Sequence, residues 1–158
     1  MKDRLTFYHP TEEKLNVVSH GFGLVLSVIA LGLLISGANN GNGFVYAASF
    51  GIYGASLVIL YTASTLYHYV QEPRLRYKLN ILDHSAIYVL IAGSYTPFTL
   101  NVMGETVGTT LFVTVWTIAI IGITLKLFFT GKYGKLSTAA YILMGWLGIF
   151  GLRSLFEN

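Results

Sequence analysis

Long apolar runs separated by short polar breaks set the pattern of this chain. Five runs, over residues 17–36, 44–70, 79–102, 107–129 and 136–155, each reach the length of about 20 residues that a helix needs to cross a bilayer core. The breaks carry turn chemistry. Residues 37–43 are an uncharged stretch of Gly, Ala and Asn. Residues 71–78 contain Pro73, which interrupts any helix continuing from the second run. Residues 101–106 and 130–135 close the third and fourth hairpins. No internal repeat, low-complexity tract or interdomain linker is visible. The pattern predicts an all-α integral membrane bundle: an N-terminal segment over residues 1–16, then a single transmembrane domain over residues 17–158.

Composition reinforces the membrane reading. Of 158 residues, 54% are hydrophobic and 11% charged, with a mean hydropathy of +0.62. A soluble domain carries about a quarter charged residues. There are no cysteines, so disulfides and thiolate metal sites are excluded and any metal must take His, Asp or Glu ligands. The net charge of +3 does not indicate nucleic acid, because the basic residues fall in short loops. Nine of the ten, Lys2, Arg4, Lys14, Arg74, Arg76, Lys78, Lys126, Lys132 and Lys135, lie on one side, and only Arg153 on the other. The bias predicts a multi-pass cell-membrane protein with a cytoplasmic N-terminus. The first apolar run is long enough to span and stay, and it follows a polar segment rather than the start of a cleavable signal.

Orientation assigns depth to the polar residues. His20 lies six residues after Lys14, His68 two residues before the break at Gln71, and Asp83 five residues after Lys78. At 1.5 Å per residue all three fall within about 10 Å of the same boundary. Three helices therefore bring ionisable groups to one shallow layer, where such groups are costly to insert and point to a functional site.

Each group also has an ordinary reading. Glu13, Asn16 and His20, spaced three and four apart, share a helix face, and could be only an amphipathic start to the first helix. Ser64 and His68 stand four apart with Tyr61 on nearly the same stripe. The imidazole can bind a metal and the hydroxyl a water or substrate oxygen. Equally, the serine can bond back to its own helix and the histidine sit at the interface beside Tyr67 and Tyr69. Asp83 needs a partner, for which Asn80, His84 and His68 are candidates. It can orient a histidine, ligate a metal, or take a proton from a metal-bound water. Its ordinary reading is a carboxylate favoured by a helix N-terminus. Pro97, within Gly93-Ser94-Tyr95-Thr96-Pro97-Phe98, is expected to disturb the third helix. Gly145, Gly148 and Gly151 are expected to allow close helix contact, and Trp116 and Trp146 to pack or anchor. His9 is expected to be solvated. No Gly-rich phosphate loop, Gly-x-Ser-x-Gly elbow or His-Glu-x-x-His helix occurs.

Several motifs, taken in order, resemble bacterial hemolysin III proteins. They are Glu13-x-x-Asn16-x-x-x-His20, Ser64-x-x-x-His68 and Leu82-Asp83-His84-Ser85-Ala86-Ile87-Tyr88 through Pro97-Phe98, with Met144-Gly145-Trp146-Leu147-Gly148 in the last run. That family belongs with the progestin and adipoQ receptors and, more distantly, the alkaline ceramidases. The resemblance implies a seven-helix fold and a zinc site on the cytoplasmic side. It implies that His68 is a zinc ligand and that Ser64 and Asp83 hold the zinc-bound water or substrate. Glu13, Asn16 and His20 would support the site, and His84 carries no ligand role. The implied activity is zinc-dependent hydrolysis of a membrane-lipid amide. The alternative is a non-enzymatic role as a pore former, receptor or membrane-homeostasis factor. The family also closes its site with a His-x-x-x-His pair on the seventh helix, and no such pair occurs here. The chain is therefore expected to be a fragment or truncated member with five of seven helices and an incomplete zinc site, inactive alone.

Overall fold

The computed structural model describes residues 7–38, 43–129 and 134–157. Lys2, Arg4, Lys132 and the loop residues 39–42 and 130–133 of the sequence reading lie outside them. The described chain is helical: α1 (Pro10–Ala38), α2 (Gly43–Tyr69), α3 (Pro73–Asn101), α4 (Glu105–Phe129) and α5 (Gly134–Trp146), then a 3₁₀ turn (Leu147–Gly151) and the short α6 (Leu152–Glu157). Consecutive long helices pack side by side, so α3 lies between α2 and α4. This is an all-α membrane bundle.

Helix starts differ from the sequence expectation, for local reasons. Residues 10–16, assigned above to the N-terminal segment, are the first turns of α1. Likewise α3 begins at Pro73 rather than residue 79. Proline in the first turn removes only an N–H that no intrahelical acceptor would take. Glu72 caps this start by accepting from the Arg74 and Leu75 backbone N–H groups at 3.0 and 2.6 Å. Those two bonds hold its carboxyl below the usual range. Pro97 does not end α3, which continues to Asn101.

By length and composition, α1, α2, α4 and the 134–156 stretch can each cross a membrane. At 29 residues α3 is as long as α1, but Asn80, Asp83, His84 and several hydroxyl residues lower its hydropathy. It is the polar helix, and neighbours enclose it.

Packing is inside-out relative to a soluble domain. Leu15, Val18, Phe22 and Leu33 of α1 are exposed. Between helices lie small residues: Ser49, Ser56, Ala63, Ala86, Ala92 and Ala119 are all buried. Helices in lipid gain little from burying apolar surface against one another, so close backbone approach decides their contacts. Several glycines stand where a side chain has no room, Gly108 against the Thr99 carbonyl oxygen among them. A Cβ at Gly93 would lie 2.6 Å from the Ser56 hydroxyl, and one at Gly122 would enter the buried Tyr88 ring. Tyr88, Ala92, Val115, Ala119 and Met144 form the apolar core among α3, α4 and α5.

The last expected span is not one continuous α-helix. In an unbroken helix the Gly148 N–H would bond to the Met144 carbonyl. Instead the Tyr95 hydroxyl sits between them: it accepts from Gly148 N at 2.7 Å and donates to Met144 O at 2.7 Å. An inserted side chain is one of the few causes of a sharp helix break. Gly148 admits that hydroxyl, and Gly151 packs against Met103 and Leu111, as close-contact glycines should. Gly145 differs from the expectation, since nothing stands near its Cβ position. Trp116 donates to the Thr96 hydroxyl at 3.2 Å, whereas Trp146 is exposed.

Candidate functional site

The charge-bearing layer gathers where α1 begins, α2 ends and α3 begins. A cavity of about 370 Å³ there is lined by His20 from α1, Ser64 and His68 from α2, and Asp83 and His84 from α3. All the residues that sequence reasoning placed in one shallow layer thus face one space. Spacing explains the pairing: Ser64 and His68 stand one turn apart on α2, so both reach the same side.

His20 Nδ1 lies 2.6 Å from the Ser64 hydroxyl oxygen, linking α1 to α2. The His20 and His68 rings meet edge-on, with centroids 5.7 Å apart. His68 is 8% exposed, and its Nδ1 lies 2.8 Å from Glu13 Oε2. Glu13 is itself buried and also accepts from the Tyr8 backbone N–H at 3.2 Å. Glu13 stands in the first turn of α1, as its ordinary reading has it, and from there it also reaches across to α2. Asn16 stands farther off, its Nδ2 3.5 Å from His68 Nδ1. That distance is at the outer limit for such a bond.

Asp83 lines the cavity half-buried beside His84, and among the described residues it makes no hydrogen bond or ion pair with its expected partners Asn80, His84 and His68. His84 turns its backbone carbonyl to the Tyr141 hydroxyl, 2.8 Å away. His9 is exposed, as expected.

The residue that sequence reasoning missed is Arg76. Read as a loop charge, it proves fully buried, at 0% exposure. One nitrogen, Nη2, donates to Glu13 Oε1. The other, Nη1, donates to the carbonyls of Tyr67 and Val70 at 3.0 and 3.1 Å, at the carbonyl end of α2. The Phe7 and Tyr67 rings stack over the guanidinium at 4.8 and 4.5 Å. One side chain therefore ties together three helices beside His68. A signal existed in the sequence. Glu72-Pro73 reads as a cap and first turn, which places Arg76, Asn80 and Asp83 on one stripe, four and three apart.

Residues 8–158 match the profile of the Haemolysin-III related family. The chain belongs to that family. It is 45% identical over 147 residues to "Hemolysin-3" of Bacillus cereus, covering 93% of this chain and 67% of that protein. It is 46% identical over 147 residues to the "Hemolysin-3 homolog" of Bacillus subtilis (strain 168), covering 93% of this chain and 69% of that one. No solved structure gives a significant match.

The donor set can be judged against zinc. Imidazole nitrogens and a carboxylate suit that ion, and a ligating histidine ordinarily bonds to a carboxylate through its other nitrogen. His68 on Glu13 has that arrangement. Among the described residues, however, no three His, Asp or Glu groups stand close enough together to hold an ion. The donor chemistry fits, but the number of ligands falls short of three.

Proposed function

We propose that this chain supplies part of a zinc-dependent, hydrolase-like site that acts on an amide of a membrane lipid, at a cytoplasmic end marked by the Lys and Arg bias. The observation that carries the reading is the convergence of His20, Ser64, His68 and Asp83, from three helices, on one cavity. The resemblance assigns the remaining zinc ligands to a His-x-x-x-His pair that this sequence does not contain.

In this reading His68 offers a ring nitrogen as ligand. Asp83, which makes no hydrogen bond or ion pair among the described residues, serves as the base that takes a proton from the attacking water. Ser64 presents a hydroxyl, held by His20, to the oxygen that gains charge. Zinc, when bound, supplies Lewis acidity and a more acidic water. A site near the helix ends suits a substrate whose polar bond lies at headgroup depth.

Equilibrium dialysis of the detergent-purified chain against zinc tests this reading, beside His68→Ala and Asp83→Ala. Saturable binding that His68→Ala abolishes is expected. Binding that His68→Ala leaves unchanged would reject it. The name of the Bacillus cereus relative, Hemolysin-3, favours one alternative, a membrane-lytic protein in which the polar layer is structural. Dye release from liposomes that His68→Ala leaves unchanged would favour that alternative.

A further inference from the structure

We propose that Arg76 is a positioning residue for His68: acting through Glu13, it fixes the proton on Nδ1 and leaves Nε2 as the nitrogen available to the cavity. The inference rests on the proposed site only for its purpose, because its geometry stands without any bound group.

Arginine remains protonated in proteins, and here its guanidinium is fully buried, with one nitrogen on Glu13 Oε1. A carboxylate held ionised by such a partner can only accept hydrogen bonds. Its second oxygen, Oε2, lies 2.8 Å from His68 Nδ1, so that nitrogen must be the donor. The competing contact is weaker. An Asn16 amide donating to Nδ1 would require the opposite tautomer, and its nitrogen stands at 3.5 Å against 2.8 Å for the carboxylate. With Nδ1–H committed, Nε2 of a neutral ring carries the lone pair. It has no hydrogen-bond partner among the described residues.

Arg76 also sets the position of the carboxylate. Its Nη1 is anchored on Tyr67 O and Val70 O, one residue before and two residues after His68. The cation that holds Glu13 is thus fixed to the same helix end that carries the imidazole. Glu13 arrives from α1, so ring orientation depends on all three helices keeping their register. A lysine could supply the charge but not the fork that serves two carbonyls and a carboxylate together.

Nitrogen-15 spectra of the histidine-labelled, metal-free full chain in detergent test this, with the His68 signals assigned by their loss in His68→Ala. Wild type should show a protonated Nδ1 and an unprotonated Nε2 at His68. The double variant Glu13→Leu/Arg76→Met, which leaves no uncompensated buried charge, should shift most of the ring to the Nε2–H form that neutral imidazole ordinarily prefers. Arg76→Lys should give a mixture of the two. A wild-type His68 protonated on Nε2, or on both nitrogens, overturns the proposal. So does a double variant that keeps the wild-type pattern. If the double variant does not fold, Glu13→Gln decides. Its amide can either accept or donate, so a mixture supports the proposal and an unchanged Nδ1–H overturns it. None of these outcomes depends on zinc, so the tautomer claim and the zinc reading can fail separately.

Discussion

The two ends of the bundle both bury polar groups, but they use them differently. At the Lys- and Arg-rich end, Glu13, His68 and Arg76 bond across helices, and the cavity beside them is lined by imidazoles and a carboxylate. At the opposite end charges such as Glu105 and Arg153 stay exposed, while the groups turned inward are neutral and serve backbone or hydroxyls. Asn101 bonds to Ser49 Oγ and to the Pro97 carbonyl at 2.7 and 2.8 Å, and Tyr95 fills the break before the 3₁₀ turn. Hydroxyls throughout the helices mostly bond to their own carbonyls three or four residues back, as Ser56, Thr99 and Thr110 do. Such groups need no partner helix. An ionised group does, which is why charge rather than polarity marks the candidate site.

The contrast predicts unequal sensitivity. Arg76→Met alone should be the most damaging change, since it leaves Glu13 buried without its cation, with only His68 and the Tyr8 backbone N–H as partners. Removing one member of a buried pair typically costs about 3–5 kcal/mol. Glu13→Leu/Arg76→Met should recover most of that loss. Reversible unfolding in mixed detergent, run as a double-mutant cycle, measures the coupling. If both single variants and the double lose equally little, the charged end is no more demanding than the neutral one and the contrast collapses.

Next in size are the small-residue contacts that both ends share. Gly122→Ala would place a methyl group in the Tyr88 ring, which is 2% exposed and cannot withdraw. Overpacking of this kind costs about 1–3 kcal/mol. Gly145→Ala, with nothing near its Cβ position, is the control and should be nearly neutral. The same unfolding assay, run on the pair, separates packing from a general intolerance of substitution.

These sites also show what the sequence carried and what it did not. Apolar run length gave the helices, because a membrane span must satisfy its own backbone and so declares itself by length. Ser64, His68 and Asp83 were legible because a polar residue inside such a run stands out. Arg76 was not, because arginines in a short break have a sufficient explanation in membrane orientation. Nothing in composition distinguishes Arg74, which is exposed, from Arg76, which is fully buried. Their difference follows from helix phase, and that required recognising Pro73 as a first turn rather than a break. The division of the last span was hidden for a similar reason. It depends on Tyr95, some fifty residues earlier, reaching the backbone at Gly148.

Tyr95→Phe tests the neutral end directly. It removes the acceptor for Gly148 N–H and the donor to Met144 O, so an unmet pair should cost about 1–3 kcal/mol unless the helix closes on itself. Closure would restore the Gly148 to Met144 bond and lengthen α5. Hydrogen exchange at Gly148 distinguishes the outcomes: faster exchange means the hydroxyl held the turn, and unchanged exchange means the helix has repaired itself. Either result should leave the His68 end undisturbed, and a change there would show that the two ends are coupled.

The smallest expected effect belongs to a charged group whose bonds are local and exposed. Glu72 accepts from the Arg74 and Leu75 N–H groups, and these bonds hold its carboxyl below its ordinary value of 4.5. A carboxyl whose folded value lies below its unfolded one contributes stability above the unfolded value, and loses it as pH falls through the folded one. The cap should therefore be intact at neutral pH and fail only in acid, below pH 4.5. Exchange of the Arg74 and Leu75 amides, corrected for intrinsic rates, should quicken as pH falls through that range. In Glu72→Gln, which keeps an acceptor oxygen without a charge, the acid-dependent step should vanish. Because the group is solvated, global unfolding should barely register the change. A large global shift in Glu72→Gln would mean that the start of α3 transmits to Arg76, four residues on, and that charge in the loop and charge in the core are not separate features.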